Sequence, residues 1–174
     1  MRPDLSRIPQ FYHNYINQVP QDDLREAFKV QTPAFIKFIE SIPPDKYDYR
    51  YADDKWTIRE VLQHIIDAER VFAYRALRFA RKDATPLPSF DENLFAENAK
   101  ADKRDWKEMV EEFKVVRKSS EYMFNSFDDD QLDATGISNS NPVYVLAIGF
   151  VIVGHAIHHM RITKERYLQS QLAN

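Results

Sequence analysis

The chain is predicted to be all-α, a four-helix bundle with an N-terminal arm and long crossing loops, and three observations carry that prediction. Four long stretches repeat their apolar residues at helical spacing. No stretch shows convincing strand alternation. Only three glycines occur in 174 residues, too few for a turn-rich all-β fold. At this length one domain spanning residues 1–174 can bury a sizeable core, and long amphipathic helices bury their apolar faces together as a bundle.

Residues 1–20 hold three prolines and the cluster Phe11, Tyr12, Tyr15, Ile16 and Val19, which predicts an arm packed onto the domain with one short helix. The first long helix is expected from Asp22 to about Ser41, with Leu24, Ala27, Phe28, Phe35, Phe38 and Ile39 on its apolar face. Asp22 and Asp23 suit its start and Pro43-Pro44 its stop, while Pro33 predicts a kink or a restart. Residues 42–55 form a polar connection bearing Tyr47, Tyr49 and Tyr51. Together with Trp56 these aromatics are candidates for a pocket mouth, against the alternative of core packing. Thr57-Ile58-Arg59-Glu60 then fits a capping box, so the second helix starts at Thr57 and runs to about Arg81.

Residues 83–101, with Pro86 and Pro88, are expected as a long crossing loop. The third helix is expected from about Asp102 to Ser126, with Trp106, Met109, Val110 and Phe113 inward and a charged outer face. Residues 127–141 are the most loop-like part of the chain. Asn141 as cap and Pro142 in the first turn predict a fourth helix running to about Leu168, roughly 40 Å long. It is apolar nearly all round as far as Met160, as a central helix should be. Gly149 and Gly154 weaken a helix unless a neighbour packs closely there.

Bulk properties exclude several classes. A net charge of −3 gives no electrostatic reason to expect a nucleic-acid partner. The absence of cysteine removes disulfides, thiolate ligands and a cysteine nucleophile, though not a thiol arriving as substrate. The N-terminus carries no apolar signal core. The apolar run Val143 to Ile157 falls short of the ~20 residues a span needs. No membrane association and a cytoplasmic location are therefore expected.

The candidate site begins at Gly154-His155-Ala156-Ile157-His158-His159-Met160, where three of five histidines fall together. On a helix His155 and His159 lie one turn (~5.4 Å) apart on one face and can share a metal ion. His158 points about 100° away from His159 and is placed outside the ligand set. Of the other two, His13 sits in the arm and is expected to be exposed, whereas His64 lies on an apolar face of the second helix. Arg75 shares that face and is the candidate for meeting an anionic substrate; the competing reading is a solvated stripe of Arg70, Arg75, Arg78 and Arg81. Glu60 and Asp67 flank His64 as candidates to orient an imidazole, against plain roles in capping and ion pairing.

The segment KWTIREVLQHIIDAERVFAYRALRFARKDATPLPSFD, followed by VGHAIHHMRITKERYL, resembles the DinB/YfiT-like superfamily over nearly the whole chain. The specific parts are the Lys-Trp-Thr helix start with a histidine eight residues after the tryptophan, and Gly-His-x-x-His-His on the last helix. The resemblance implies a four-helix bundle with a divalent metal on three histidines, here His64, His155 and His159. Three neutral imidazoles leave open positions, as catalytic sites do, and suit Zn, Ni or Fe. Two reactions follow: hydrolysis, or transfer of a low-molecular-weight thiol to an electrophile, which the resemblance favours. The rival expectation is a non-catalytic metal-binding or interaction bundle, a homodimer through an exposed face, with no open pocket beside the histidines.

Overall fold

Short-range signals set most of the helix boundaries in the computed structural model, which describes residues 1–168. The arm folds as α1 (Gln10–Asn17) after a single 3-10 turn. Next comes α2 (Leu24–Glu40), where the Asp23 side chain accepts the Glu26 N–H. Pro33 lies within α2 on its exposed side, so the backbone bond it cannot make is lost on the face where water substitutes, and one helix continues through it. The capping box opens α3 (Ile58–Ala80): Thr57 accepts the Glu60 N–H, and the Glu60 carboxylate accepts the Thr57 N–H at 2.7 Å.

Both expected loops carry structure of their own. The crossing segment contains α4 (Glu92–Ala99), started by Asp91, whose side chain accepts two N–H groups. The third bundle helix, α5 (Trp106–Asn125), begins later than Asp102, because a 3-10 turn occupies Ala101–Lys103 and Asp105 provides the cap. The segment after it holds the short α6 (Asp129–Asp133) and a hairpin of β1 (Thr135–Ser138) and β2 (Asn141–Tyr144). The last helix, α7 (Val145–Ile162), continues as a π-helical turn over Thr163–Tyr167.

The hairpin corrects the expected start of α7. Asn141 and Pro142 do not cap that helix; they pair with Ser138 and Ile137 across an antiparallel ribbon. Asn139 and Ser140 turn the chain, both at positive φ (50° and 61°), the geometry that suits the twist of a two-residue hairpin. Proline is tolerated because a two-stranded ribbon has only edges. With no side-chain cap, the first N–H of α7 donates instead to the Ala134 carbonyl at 3.0 Å. Leu87 of the crossing segment bridges Ser138, which ties that segment to the hairpin.

The four long helices close a ring in the order α7, α3, α5, α2, and α1 lies outside on α7. From Val145 to Ala156 every residue of α7 is buried, which accounts for its apolar character on all sides. With its π-helical continuation it is long and apolar enough to cross a membrane by composition alone (mean hydropathy 1.5), but 61% of that window is buried inside the bundle. The two glycines mark close approaches. A Cβ on Gly149 would lie 2.5 Å from the Leu24 side chain, and one on Gly154 only 2.1 Å from the Tyr15 carbonyl oxygen. That second contact seats α1 directly beside His155.

Candidate metal centre

Two helices of the ring bring the three expected histidines together. His64 projects from the second turn of α3, and His155 and His159 from one face of α7. The Nε2 atom of His155 lies 3.0 Å from Nε2 of His64 and 3.0 Å from Nε2 of His159. Each of the three residues offers a ring nitrogen within 4.8 Å of the others. The aromatic neighbours fix the rings: Trp56 lies against His64 at 4.7 Å, while Tyr15 and Phe72 meet His155 edge-on at 5.4 and 6.0 Å.

Burial pushes His64 down to about 4, and pushes His155 and His159 well below the ordinary imidazole value of 6.5. For His155 the neighbouring His159 and His64 add to the effect. Neutral imidazoles with converging nitrogens, none hydrogen-bonded to a carboxylate among the described residues, have lone pairs and few protons to satisfy one another. A divalent cation with a preference for nitrogen ligands fits that donor set.

Of the other two histidines, His158 falls where its spacing suggested and His13 does not. His158 turns away to Tyr15 and lies 3.4 Å from the Gln18 amide nitrogen, outside the cluster. His13 is half-buried rather than exposed, because its ring nitrogen bonds the Leu5 carbonyl at 3.0 Å and holds the first turn of the arm. Glu60 is engaged in the capping box, and Asp67 accepts from Gln63 at 3.0 Å and pairs with Arg70 at 3.8 Å. Neither carboxylate lines the cavity at the histidines.

That cavity has a volume of about 220 Å³ and is open to solvent. His64, His155, His159 and Arg75 all line it, together with Tyr12 and Tyr15 from α1, Trp56, Phe72, Phe90, Glu92 and Asn139. Among the tyrosine-rich connection residues only Trp56 reaches it; Tyr47 stacks on Trp106 at 4.3 Å and Tyr51 packs edge-on against Tyr167 at 4.8 Å. The basic stripe on α3 is broken up. Arg75 is 5% exposed, Arg70 pairs with Glu112 at 2.6 Å, and Arg78 pairs with Asp83. The contributions of α1, of α4 and of the hairpin tip were invisible in the sequence, because nothing local links Tyr12, Glu92 or Asn139 to a histidine on α7.

Among known proteins, the family model described as the DinB superfamily matches residues 27–163, a span that holds all three histidines and omits α1. Among solved structures, YfiT from Bacillus subtilis superposes with a TM-score of 0.71 at 17% identity, covering 98% of this chain and 94% of that chain. It is described as "a probable metal-dependent hydrolase with an unusual four-helix bundle topology", and at this identity the likeness is one of fold. No curated protein matches the chain in sequence.

Proposed function

The chain belongs to the DinB superfamily, and from that premise we propose that it is a metal-dependent enzyme in which His64, His155 and His159 hold one divalent ion and a small molecule reacts in the adjoining cavity. One observation carries the reading: three buried or half-buried imidazoles converge on a common point that lines a solvent-open cavity. A sealed cluster would fit a purely structural ion. An opening beside the ligands leaves room for a reactant.

Zinc, nickel and iron(II) all accept three imidazoles. Such an ion supplies the positive charge that brings a weak nucleophile into its anionic form near neutral pH. The protein's own residues do the rest. Trp56, Tyr15 and Phe72 restrict the rings of His64 and His155, so the nitrogens are oriented before anything binds. Phe72 and Ala68 present apolar walls that limit water in the cavity. Tyr12 and Tyr15 bring the arm into the substrate wall.

Hydrolysis is the reaction class we favour, with the description of YfiT as support. Transfer of a low-molecular-weight thiol needs the same site and differs in the nucleophile. The net charge of −3 and the pairing of Arg70 and Arg78 argue against a nucleic-acid partner. The test is turnover of activated esters, and of a thiol-reactive electrophile with added thiol, by zinc-, nickel- and iron-loaded protein. Activity should vanish on chelation, return on reloading and be absent from His155→Ala. Equal rates with and without metal would overturn the proposal.

A further inference from the structure

We infer that Arg75 is the anion-binding residue of this cavity and that the substrate is a small carboxylate monoanion, held at Arg75 with its reacting group toward the three histidines. The inference rests on reading the cavity as the substrate pocket, and it deepens that reading by naming what the pocket selects.

Two arginines of the bundle are almost fully buried, and their surroundings differ. Arg117 is 1% exposed and forked onto the Glu69 carboxylate, with N–O distances of 2.9 and 2.8 Å. Its charge is balanced inside the core. Arg75 is 5% exposed and has no carboxylate partner among the described residues. Its Nη2 donates to the Pro88 carbonyl at 2.8 Å, and the Tyr12 hydroxyl lies beside it. The Phe72 and Phe90 rings flank the guanidinium at 6.0 and 5.8 Å.

A buried cation without a counter-charge is costly to keep, and such groups are paired or bind a ligand. The fork has five N–H donors, and the Pro88 carbonyl and the Tyr12 hydroxyl engage two of them. Arg75 also lines the same cavity as the histidines. Its position follows from the helix: eleven residues separate it from His64, three turns along one face, about 16 Å on the axis. The Phe72 ring links the two ends, lying 6.0 Å from the Arg75 guanidinium carbon and 6.0 Å from the His155 ring. An anionic molecule bound at the fork would extend along this face.

The surroundings select the kind of anion. Among the described lining residues Arg75 is the one cation of the metal-free cavity and Glu92 the one carboxylate, while Tyr12, Ser89 and Asn139 are neutral, so a single carboxylate ligand can pair with the buried fork. Glu92 at the exposed mouth disfavours a dianion such as a phosphate monoester. A planar carboxylate matches the guanidinium fork in two parallel hydrogen bonds. Phe72 and Phe90 give the rest of the molecule an apolar bed. The 220 Å³ volume lies below the ~300–1,000 Å³ of pockets for drug-sized ligands, which points to a small metabolite.

The test is equilibrium binding of phenylacetate, phenylacetamide and phenylphosphonate to the full chain, metal-free and zinc-loaded, by calorimetry or ligand-observed NMR. Phenylacetate should bind about tenfold more tightly than phenylacetamide in both forms, and more tightly than phenylphosphonate. The preference should disappear in Arg75→Met and return in part in Arg75→Lys. Because Arg75 is buried, the comparison on the unaltered protein decides even if a variant fails to fold. Equal affinity for acid and amide, no binding of either, or a preference for the phosphonate would overturn the inference. So would a preference that appears only with zinc or survives Arg75→Met, since the anion would then sit on the metal. A chain that takes up no zinc would sink the metal reading alone, with the carboxylate preference of the metal-free protein still standing.

Discussion

His64 and His155 are 91 residues apart in the chain, yet their Nε2 atoms lie 3.0 Å apart. Bringing two imidazoles that close inside a bundle fixes their protonation. Burial holds His64 at about 4 and His155 well below 6.5. The unfolded chain therefore binds protons as pH falls through 6.5, while the folded chain does so only near 4 or lower. For the metal-free protein these groups leave stability intact above about pH 6.5 and reduce it as pH falls from 6.5 toward 4. Urea midpoints measured between about pH 7.5 and about pH 4.5 should fall over that window. A flat profile would contradict neutral buried imidazoles.

Gly154→Ala should loosen the arm. Its Cβ would meet the Tyr15 carbonyl oxygen at 2.1 Å, a backbone atom that cannot swing aside as a side-chain tip can. Overpacking of this kind costs about 1–3 kcal/mol, so the urea midpoint should drop. Because α1 carries Tyr12 and Tyr15 into the cavity wall, ligand affinity should weaken as well, with the metal stoichiometry retained. Wild-type stability in this variant would show that α1 does not sit on α7 as described.

The Glu69–Arg117 pair should prove costly to break and cheaper to replace. Both side chains are almost completely buried, at 2% and 1% exposure. Arg117 also lies over the Phe113 ring at 5.0 Å. Removing one partner by Arg117→Met strands a carboxylate and should destabilise by about 3–5 kcal/mol. Adding Glu69→Gln should recover part of that loss, and chemical denaturation of the single and double variants measures it. A double variant that loses the sum of the two singles would mean the pair is not coupled.

Where a structural signal was local, the sequence carried it. The Thr57/Glu60 capping box and the i, i+4 pair His155/His159 each depend on neighbours along the chain or on one helix face. Asn141-Pro142 misled because the same two residues suit a helix start and an edge ribbon, and only the pairing with Ser138 and Ile137 decides between them. The turn at Asn139-Ser140 lacks glycine, so the hairpin left no ordinary mark. Arg75 shows the same limit: a helical wheel gives its face, but what buries it comes from two other segments, α1 and the crossing stretch that holds Pro88 and Phe90. Pocket walls are assembled by tertiary contact. Ligand pairs on one helix are not.

The most direct test of the three-histidine account is the metal content of the purified chain, measured by elemental analysis after growth and purification without chelator. About one equivalent of zinc, nickel or iron per chain is expected. His64→Ala, His155→Ala and His159→Ala should each lose it, and His158→Ala, whose ring faces Tyr15, should keep it. Substoichiometric metal in the unaltered protein under saturating zinc, or unchanged content after His155→Ala, would contradict the account.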